Sequence, residues 1–102
     1  MRSWHSGDRM NDVTVVARNP EVVARPLTDT EGGVLLHLET GAYHGLNPVG
    51  FLIWEELETE RTVADLVAAV RAKIPDAPAH VSGDVVSFVA GAVQRDLLRI
   101  TD

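Results

Sequence analysis

The feature that most constrains this chain is a turn between two short apolar runs, followed at once by a helix start. Val34–Leu38 and Ala42–Leu46 have the length of strands, and Glu39–Gly41 between them has the composition of a tight turn. If this segment forms a type I turn, Gly41 takes a left-handed backbone and closes a three-residue hairpin loop. Asn47–Pro48 then favours a helix, because asparagine caps free N–H groups and proline suits the first helical position. The sequence therefore predicts a hairpin that leads directly into a helix.

Further segments on either side have the patterns of strands and helices. Two candidate strands precede the hairpin, and three candidate helices follow it, the last two separated by a proline-containing loop. We therefore expect an α+β domain with a small antiparallel sheet of about three strands, followed by three helices. The earlier strands are Val13–Ala17 and Val22–Leu27, and the loop is Pro75–Ser82. The helices are Pro48–Leu57, Thr62–Ile74 and a third that starts at about Gly83 or Asp84 and ends at Leu98.

Length, charge and composition narrow the classes of protein. The 102 residues suffice for one domain, which we place at residues 13–102 behind a flexible N-terminal arm of residues 1–12. A formal charge of −6 disfavours nucleic acid as a partner, because binding there depends on Lys and Arg contacts to phosphates. No apolar run approaches the roughly 18–20 residues of a membrane span, and no signal peptide is recognisable. The absence of cysteine excludes disulfides and cysteine-ligated zinc, and it suits a cytoplasmic protein.

The chain lacks the motifs of an enzyme or of a metal site. It has no cysteine nucleophile, no Gly-x-Ser-x-Gly elbow, no glycine-rich phosphate loop and no His-Glu-x-x-His pair. In a three-residue hairpin loop Leu36 lies opposite His44, so that His37 and His44 point to opposite faces of the sheet and do not share a metal. A two-residue loop would instead place His37 directly opposite His44, on the same face of the sheet. We predict a non-catalytic protein without a cofactor or a metal.

The strand Ala42–Leu46 and the third helix together suggest a peptide-binding groove. If the strands pair in chain order, Ala42–Leu46 lies at the sheet edge, where unpaired backbone groups can accept an extended peptide as an added strand. The third helix carries an apolar band wider than one buried face requires, so a second face is available as the other wall. The alternative at this point is that the N-terminal arm covers the edge and that the whole band belongs to the core.

Three segments, taken in order, resemble the PqqD-like proteins, which are the precursor recognition elements of ribosomally synthesised and post-translationally modified peptides (RiPPs). They are VLLHLETGAYHGLNPVGFLIWEEL, RTVADLVAAV and DVVSFVAGAVQRDLL, within a match of roughly Val22 to Ile100. The resemblance is greatest to the stand-alone members that serve lasso-peptide pathways. It implies a small winged helix-turn-helix-like fold of three strands and three helices. Any wing after the third helix is expected to be minimal.

The resemblance also implies a binding function. Members of the family bind the leader segment of a precursor peptide as a strand added to the third strand of the sheet and held against the third helix. They present it to a separate enzyme, which in lasso pathways is a transglutaminase-like cysteine protease, the leader peptidase, and a macrolactam synthetase acts afterwards. Carried onto this sequence, the peptide-binding residues are Ala42, Tyr43, His44, Gly45 and Leu46 on the strand and Asp84, Val85, Phe88, Gly91, Ala92 and Arg95 on the helix.

The resemblance suggests what some of these side chains would contact. Tyr43 and Phe88 would pack against an aromatic residue or a proline of the leader, and Asp84 and Arg95 would pair with its charges. Val85 and Phe88 fit the core as well as the groove, and the pattern does not distinguish the two positions.

Two alternative functions stay open. The first is a chaperone that presents its precursor to a radical enzyme in cofactor biosynthesis, as true PqqD does. The second is a winged-helix regulator that binds DNA. The negative charge disfavours the second alternative, as does a third helix whose basic residues are Arg95 and, just beyond it, Arg99.

Overall fold

The computed structural model describes residues 11–28 and 31–101. Over these residues the chain forms six strands and three helices, so the predicted α+β fold with three helices is confirmed. Residues 1–10, most of the predicted N-terminal arm, lie outside the described residues. The elements are β1 (Val15–Arg18), β2 (Val22–Pro26), β3 (Gly33–His37), β4 (Tyr43–Leu46), α1 (Pro48–Glu56), β5 (Arg61–Thr62), α2 (Val63–Lys73), α3 (Val81–Gln94) and β6 (Leu98–Ile100).

The strands form two antiparallel sheets. One has the order β2-β3-β4, which confirms the predicted edge position of the last strand before the helices. The other has the order β5-β1-β6, so β1 pairs with strands that follow it by more than forty residues. Asn19 and Pro20 end β1 and redirect the chain, and β1 then finds its partners in segments too short to be recognised as strands.

The third helix ends earlier than the sequence predicts. It was expected to reach about Leu98, but it stops at Gln94 and the chain turns at Asp96, whose φ is 62°. The N–H of Asp96 donates to the carbonyl of Val93 (3.0 Å), and the N–H of Leu97 donates to the carbonyl of Ala92 (2.9 Å). This is the Schellman arrangement, and here an aspartate holds the left-handed position that glycine usually takes. The released segment forms β6, a strand of three residues.

The first two helices begin where the sequence places them. The side chain of Asn47 accepts from the N–H of Gly50 (2.7 Å), and Pro48 opens α1. At α2, the hydroxyl of Thr62 accepts from the N–H of Asp65 (3.1 Å), and the Asp65 carboxylate accepts in return from the N–H of Thr62 (3.4 Å). Each cap pairs N–H groups that a helix N-terminus leaves without partners, so both starts are fixed by adjacent residues.

One hydrophobic core lies between the sheets and the helices. It contains fully buried residues from β1, β3 and all three helices, among them Val16, Leu35, Ile53, Leu66 and Val85. Helix α3 packs against α1, α2 and β6. Among residues 11–28 and 31–101, no helix has the length and apolar character that crossing a membrane requires.

Candidate functional site

The register of the β3–β4 hairpin decides which way the strand side chains point. Leu35 lies opposite His44, and Leu36 lies opposite Tyr43. The predicted register, with Leu36 opposite His44, is therefore wrong by one residue, because the loop between the strands has four residues rather than three. The left-handed backbone predicted for the turn glycine is confirmed, since Gly41 has a φ of 75°.

The corrected register changes the faces of the strand side chains. His37 and His44 share the inner face with the buried Leu35, so the prediction that they point to opposite faces is wrong. Tyr43 is on the outer face beside Leu36, and 72% of it is exposed. The groove side of β4 therefore carries His44, while Tyr43 points away from the helices.

The open edge of β4 has a defined set of backbone groups. The N–H of His37 donates to the carbonyl of Ala42 (3.0 Å). In an antiparallel pair every second residue bonds to the neighbouring strand, so Ala42 and every second residue after it bond to β3. Tyr43 and Gly45 therefore direct their N–H and C=O groups away from β3. No strand of the described chain pairs with this edge. An added strand would bond to Tyr43 and Gly45.

Two contacts, one near each end of β4, define the direction of α3 relative to this edge. At one end, Phe88 lies against Gly50 of α1, four residues beyond β4, where a Cβ on the glycine would be 2.9 Å from Cε1 of the ring. At the other end, Nε2 of His37 lies 3.1 Å from Oδ2 of Asp96, the residue that ends the C-terminal turn of α3. The helix therefore runs antiparallel to β4, with its C-terminal end at the hairpin. We call the space between β4 and α3, where the sequence predicts that a leader peptide binds, the leader groove.

The predicted helix residues fall into two groups. Val85 and Ala92 are 0% and 2% exposed and belong to the core, so they offer no surface to a peptide in this structure. The other four are exposed or half-buried and follow one another at intervals of four, three and four residues, which places them on one stripe of the helix. This stripe consists of Asp84, Phe88, Gly91 and Arg95. The stripe borders the leader groove, because its Phe88 contacts Gly50 of α1 just beyond the end of β4.

An apolar cavity of about 440 Å³ lies beyond the end of β4, next to this stripe. Its walls come from the first turns of α1, from the loop before α3 and from α3 itself, including Val49, Gly50, Pro78, Val81 and Phe88. Phe88 thus packs on α1 with one part of its ring and lines the cavity with another. The sequence left open whether Phe88 belongs to the core or to the groove, and in the structure its ring takes part in both.

The two charged residues of the stripe mark its ends. Asp84 is in the first turn of α3, and its Oδ2 lies 2.9 Å from Nδ1 of His80. Arg95 is the residue that follows the last turn, and its Nη1 is 3.7 Å from the Cβ position of Gly91, so the side chain folds back along the bare part of the helix. Eleven residues of helix separate the two charges by roughly 16 Å. The stripe is acidic at one end and basic at the other.

A polar network at the hairpin end of the leader groove escaped the sequence analysis. Nδ2 of Asn19 donates to the backbone carbonyl of Asp96 (2.7 Å) and to its Oδ2 (3.2 Å). Nδ1 of His37 accepts from the N–H of Glu39 (3.2 Å). In the sequence, Asn19-Pro20 indicates only the end of a strand and Asp96 falls within the predicted third helix, and no local pattern connects two residues that lie 77 positions apart.

Three of these groups are close enough together to suggest a metal site. Ligand atoms of His37, Glu39 and Asp96 lie within 4.8 Å of one another. Both ring nitrogens of His37 already have hydrogen-bond partners, at Glu39 and at Asp96. A metal at Nε2 would need Nδ1 to carry the proton, and Nδ1 would then face another donor. The geometry favours a hydrogen-bonded network.

Arg18 forms a second cluster, at the opposite end of α1 from the leader groove. Its Nε and Nη2 donate to the carbonyl of Trp54 (3.1 and 2.7 Å), and its guanidinium lies 4.8 Å from the centre of the Trp54 ring. Burial lowers the pKa of Arg18, while Glu58 and Glu55 act in the opposite direction. The arginine stays charged at neutral pH, because its pKa starts far above neutrality. We assign it a structural role.

Comparison with known proteins places this geometry in context. A family model described as "Coenzyme PQQ synthesis protein D (PqqD)" matches residues 32–98. The structure of TbiB1 in complex with the TbiA(beta) leader peptide is similar, with 32% identity and a TM-score of 0.70 over 84% of this chain and 99% of that chain. No curated protein matches this chain in sequence.

A second solved structure shares the fold. It is the solution NMR structure of the PqqD truncation of Methylobacterium extorquens PqqCD, a stand-alone RiPP recognition element. The identity is 19% and the TM-score 0.71, over 88% of this chain and 94% of that chain. At this identity the likeness concerns the fold.

Proposed function

This chain belongs to the PqqD family of RiPP recognition elements, and we propose that it binds the leader segment of a ribosomally synthesised precursor peptide in the leader groove. The leader adds as a strand to β4 and lies against the stripe of α3. The protein acts by binding and presentation, without catalysis.

One observation carries this proposal. The N–H and C=O groups of Tyr43 and Gly45 point away from β3, along an edge with which no described strand pairs, and the half-buried Phe88 of α3 packs on α1 just beyond the end of that edge. Backbone groups of this kind bind an extended peptide through main-chain hydrogen bonds, while pockets beside the strand select side chains. The apolar cavity near Phe88 supplies such a pocket.

The similarity to a leader-bound protein supports the same function. TbiB1 is 32% identical to this chain over nearly its whole length, and its structure contains a leader peptide. The sequence resemblance to stand-alone lasso-pathway members favours a lasso-peptide precursor as the ligand. We further propose a cytoplasmic location, a separate cysteine-type leader peptidase as the enzyme that receives the leader, and a macrolactam synthetase as a later partner.

The test is direct titration of a fluorescently labelled leader peptide, taken from the precursor encoded beside this gene, against the purified chain. We expect saturable binding with a Kd below tens of micromolar. Phe88→Asp should weaken it, because a carboxylate at the apolar cavity wall is costly to desolvate. A wild-type protein that shows no binding at tens of micromolar contradicts the proposal.

A second titration separates leader binding from DNA binding. The stripe of α3 has one basic residue, Arg95, and the chain carries a formal charge of −6. We therefore expect no salt-sensitive shift with duplex DNA. Such a shift, in the absence of leader binding, would favour the regulator instead.

A further inference from the structure

We propose that Asp96 is a positioning residue for the leader groove. Together with Asn19 and His37 it sets how closely the C-terminal end of α3 approaches the hairpin, and so how wide the groove is. This inference rests on the proposed function.

The network joins three segments that are distant in sequence. Asn19 follows β1, His37 ends β3, and Asp96 follows α3. Asn19 and His37 are 0% and 2% exposed, so their polar atoms need partners within the protein. Asp96 supplies one to each of them, with its Oδ2 lying 3.2 Å from Nδ2 of Asn19 and 3.1 Å from Nε2 of His37. The side chain of Asp96 is 59% exposed, so it reaches this buried pair from the surface.

The hydrogen bonds of His37 determine its tautomer. Nδ1 accepts from the N–H of Glu39, so the proton of the neutral ring is on Nε2 and is donated to Asp96. One imidazole therefore connects the turn at the start of β4 with the end of α3. Movement of α3 away from the hairpin would leave this buried N–H without its carboxylate acceptor.

The backbone of Asp96 points to the same role. Its φ of 62° lies in the left-handed region, where glycine has no steric penalty. Glycine would satisfy the Schellman turn at this position at least as well as aspartate does. The structure gives the aspartate carboxylate two buried partners instead, and this favours a role for the side chain over a role for the backbone alone.

The experiment compares three variants by leader titration and by urea unfolding. Asp96→Gly keeps the left-handed turn and removes the carboxylate, and Asp96→Asn keeps both the turn and an acceptor oxygen. Thr62→Ala removes the α2 cap, which lies in the other sheet, and serves as the stability control. We expect Asp96→Gly to weaken leader binding about fivefold and Asp96→Asn to restore it to within about twofold. Equal weakening by Thr62→Ala, or full affinity in Asp96→Gly, would overturn the proposal.

A measurement without leader distinguishes this inference from the proposed function. In ¹⁵N NMR spectra of the wild type, the ring of His37 should show a protonated Nε2 and an unprotonated Nδ1. In Asp96→Gly, the amide signals of β4 and of the last turn of α3 should shift, while those around Asn47 stay in place. If the wild type fails to bind leader but these signals behave as expected, the proposed function fails, while the part of the inference in which Asp96 sets the spacing between α3 and the hairpin stands. The opposite tautomer, or unchanged β4 signals, refutes the positioning role whatever the leader does.

Discussion

The ring of Phe88 rests on Gly50, so closely that a Cβ at Gly50 would lie 2.9 Å from Cε1 of the ring. A glycine in the first turn of α1 thus makes room for the aromatic wall of the leader groove. The same ring lines the apolar cavity beyond β4. The contact therefore connects the packing of two helices with the shape of the proposed binding site.

Gly50→Ala tests this contact. Alanine favours helix over glycine by about 1 kcal/mol, so the free energy of unfolding should change little even though the ring must move. Because the same ring lines the cavity, its displacement should change the shape of the pocket, and leader affinity should fall severalfold. Gly83→Ala is the control, since a Cβ there meets nothing within 4 Å. Titration and urea unfolding of both variants give the comparison, and equal affinities would show that the Phe88 ring does not shape the site.

Gly45→Pro tests strand addition. The N–H of Gly45 points to the open edge, so its removal breaks no bond to β3 but eliminates one that an added strand would use. We expect leader affinity to fall at least about tenfold, which corresponds to about 1.4 kcal/mol. Gly45→Ala keeps the N–H and places a Cβ in open space, so it should bind like the wild type. Isothermal titration calorimetry measures both. Full affinity in the proline variant would exclude β4 as the edge that receives the leader.

Asp84→Asn tests the acidic end of the stripe. If a basic leader residue pairs with Asp84, the variant should bind up to about 1 kcal/mol more weakly at low salt and nearly normally at high salt, because an exposed ion pair is weak and screened. Asp76→Asn changes the net charge equally but lies in the loop between α2 and α3. Fluorescence polarisation at two salt concentrations separates a local pair from a general charge effect. The same salt response in both variants would count against a pair at Asp84.

Arg18→Lys should affect stability and leave binding unchanged. Lysine cannot donate two hydrogen bonds to the Trp54 carbonyl while lying over the ring, so we expect a loss of about 1–2 kcal/mol in the free energy of unfolding. Because burial lowers the pKa of Arg18 in the folded protein, the unfolded state binds more protons than the folded state, but only at strongly alkaline pH. The free energy of unfolding would therefore rise with pH only in that range. Between about pH 5 and 9 the difference between the two proteins should be constant. Urea unfolding across this range tests the stability effect, and leader titration checks the unchanged affinity.

Much of the fold follows from short stretches of sequence. The turn at Gly41, the cap at Asn47 and the capping box at Thr62 each depend on residues within three or four positions of one another. The edge position of β4 was predicted on the condition that the strands pair in chain order, and the sheet order β2-β3-β4 meets that condition. These features were therefore predictable.

Other features depended on the tertiary structure. One extra residue in the hairpin loop moved His37 and His44 to the same face, because side chains alternate along a strand and a shift of one reverses them. Packing placed Val85 and Ala92 in the core and left Phe88 half-buried between the core and the groove, although all three share one apolar band. Local sequence determined where the elements begin and turn. The faces they present, and the bond from His37 to Asp96 across 59 positions, were decided only when distant segments packed together, since burial and long-range polar pairing are properties of the assembled core.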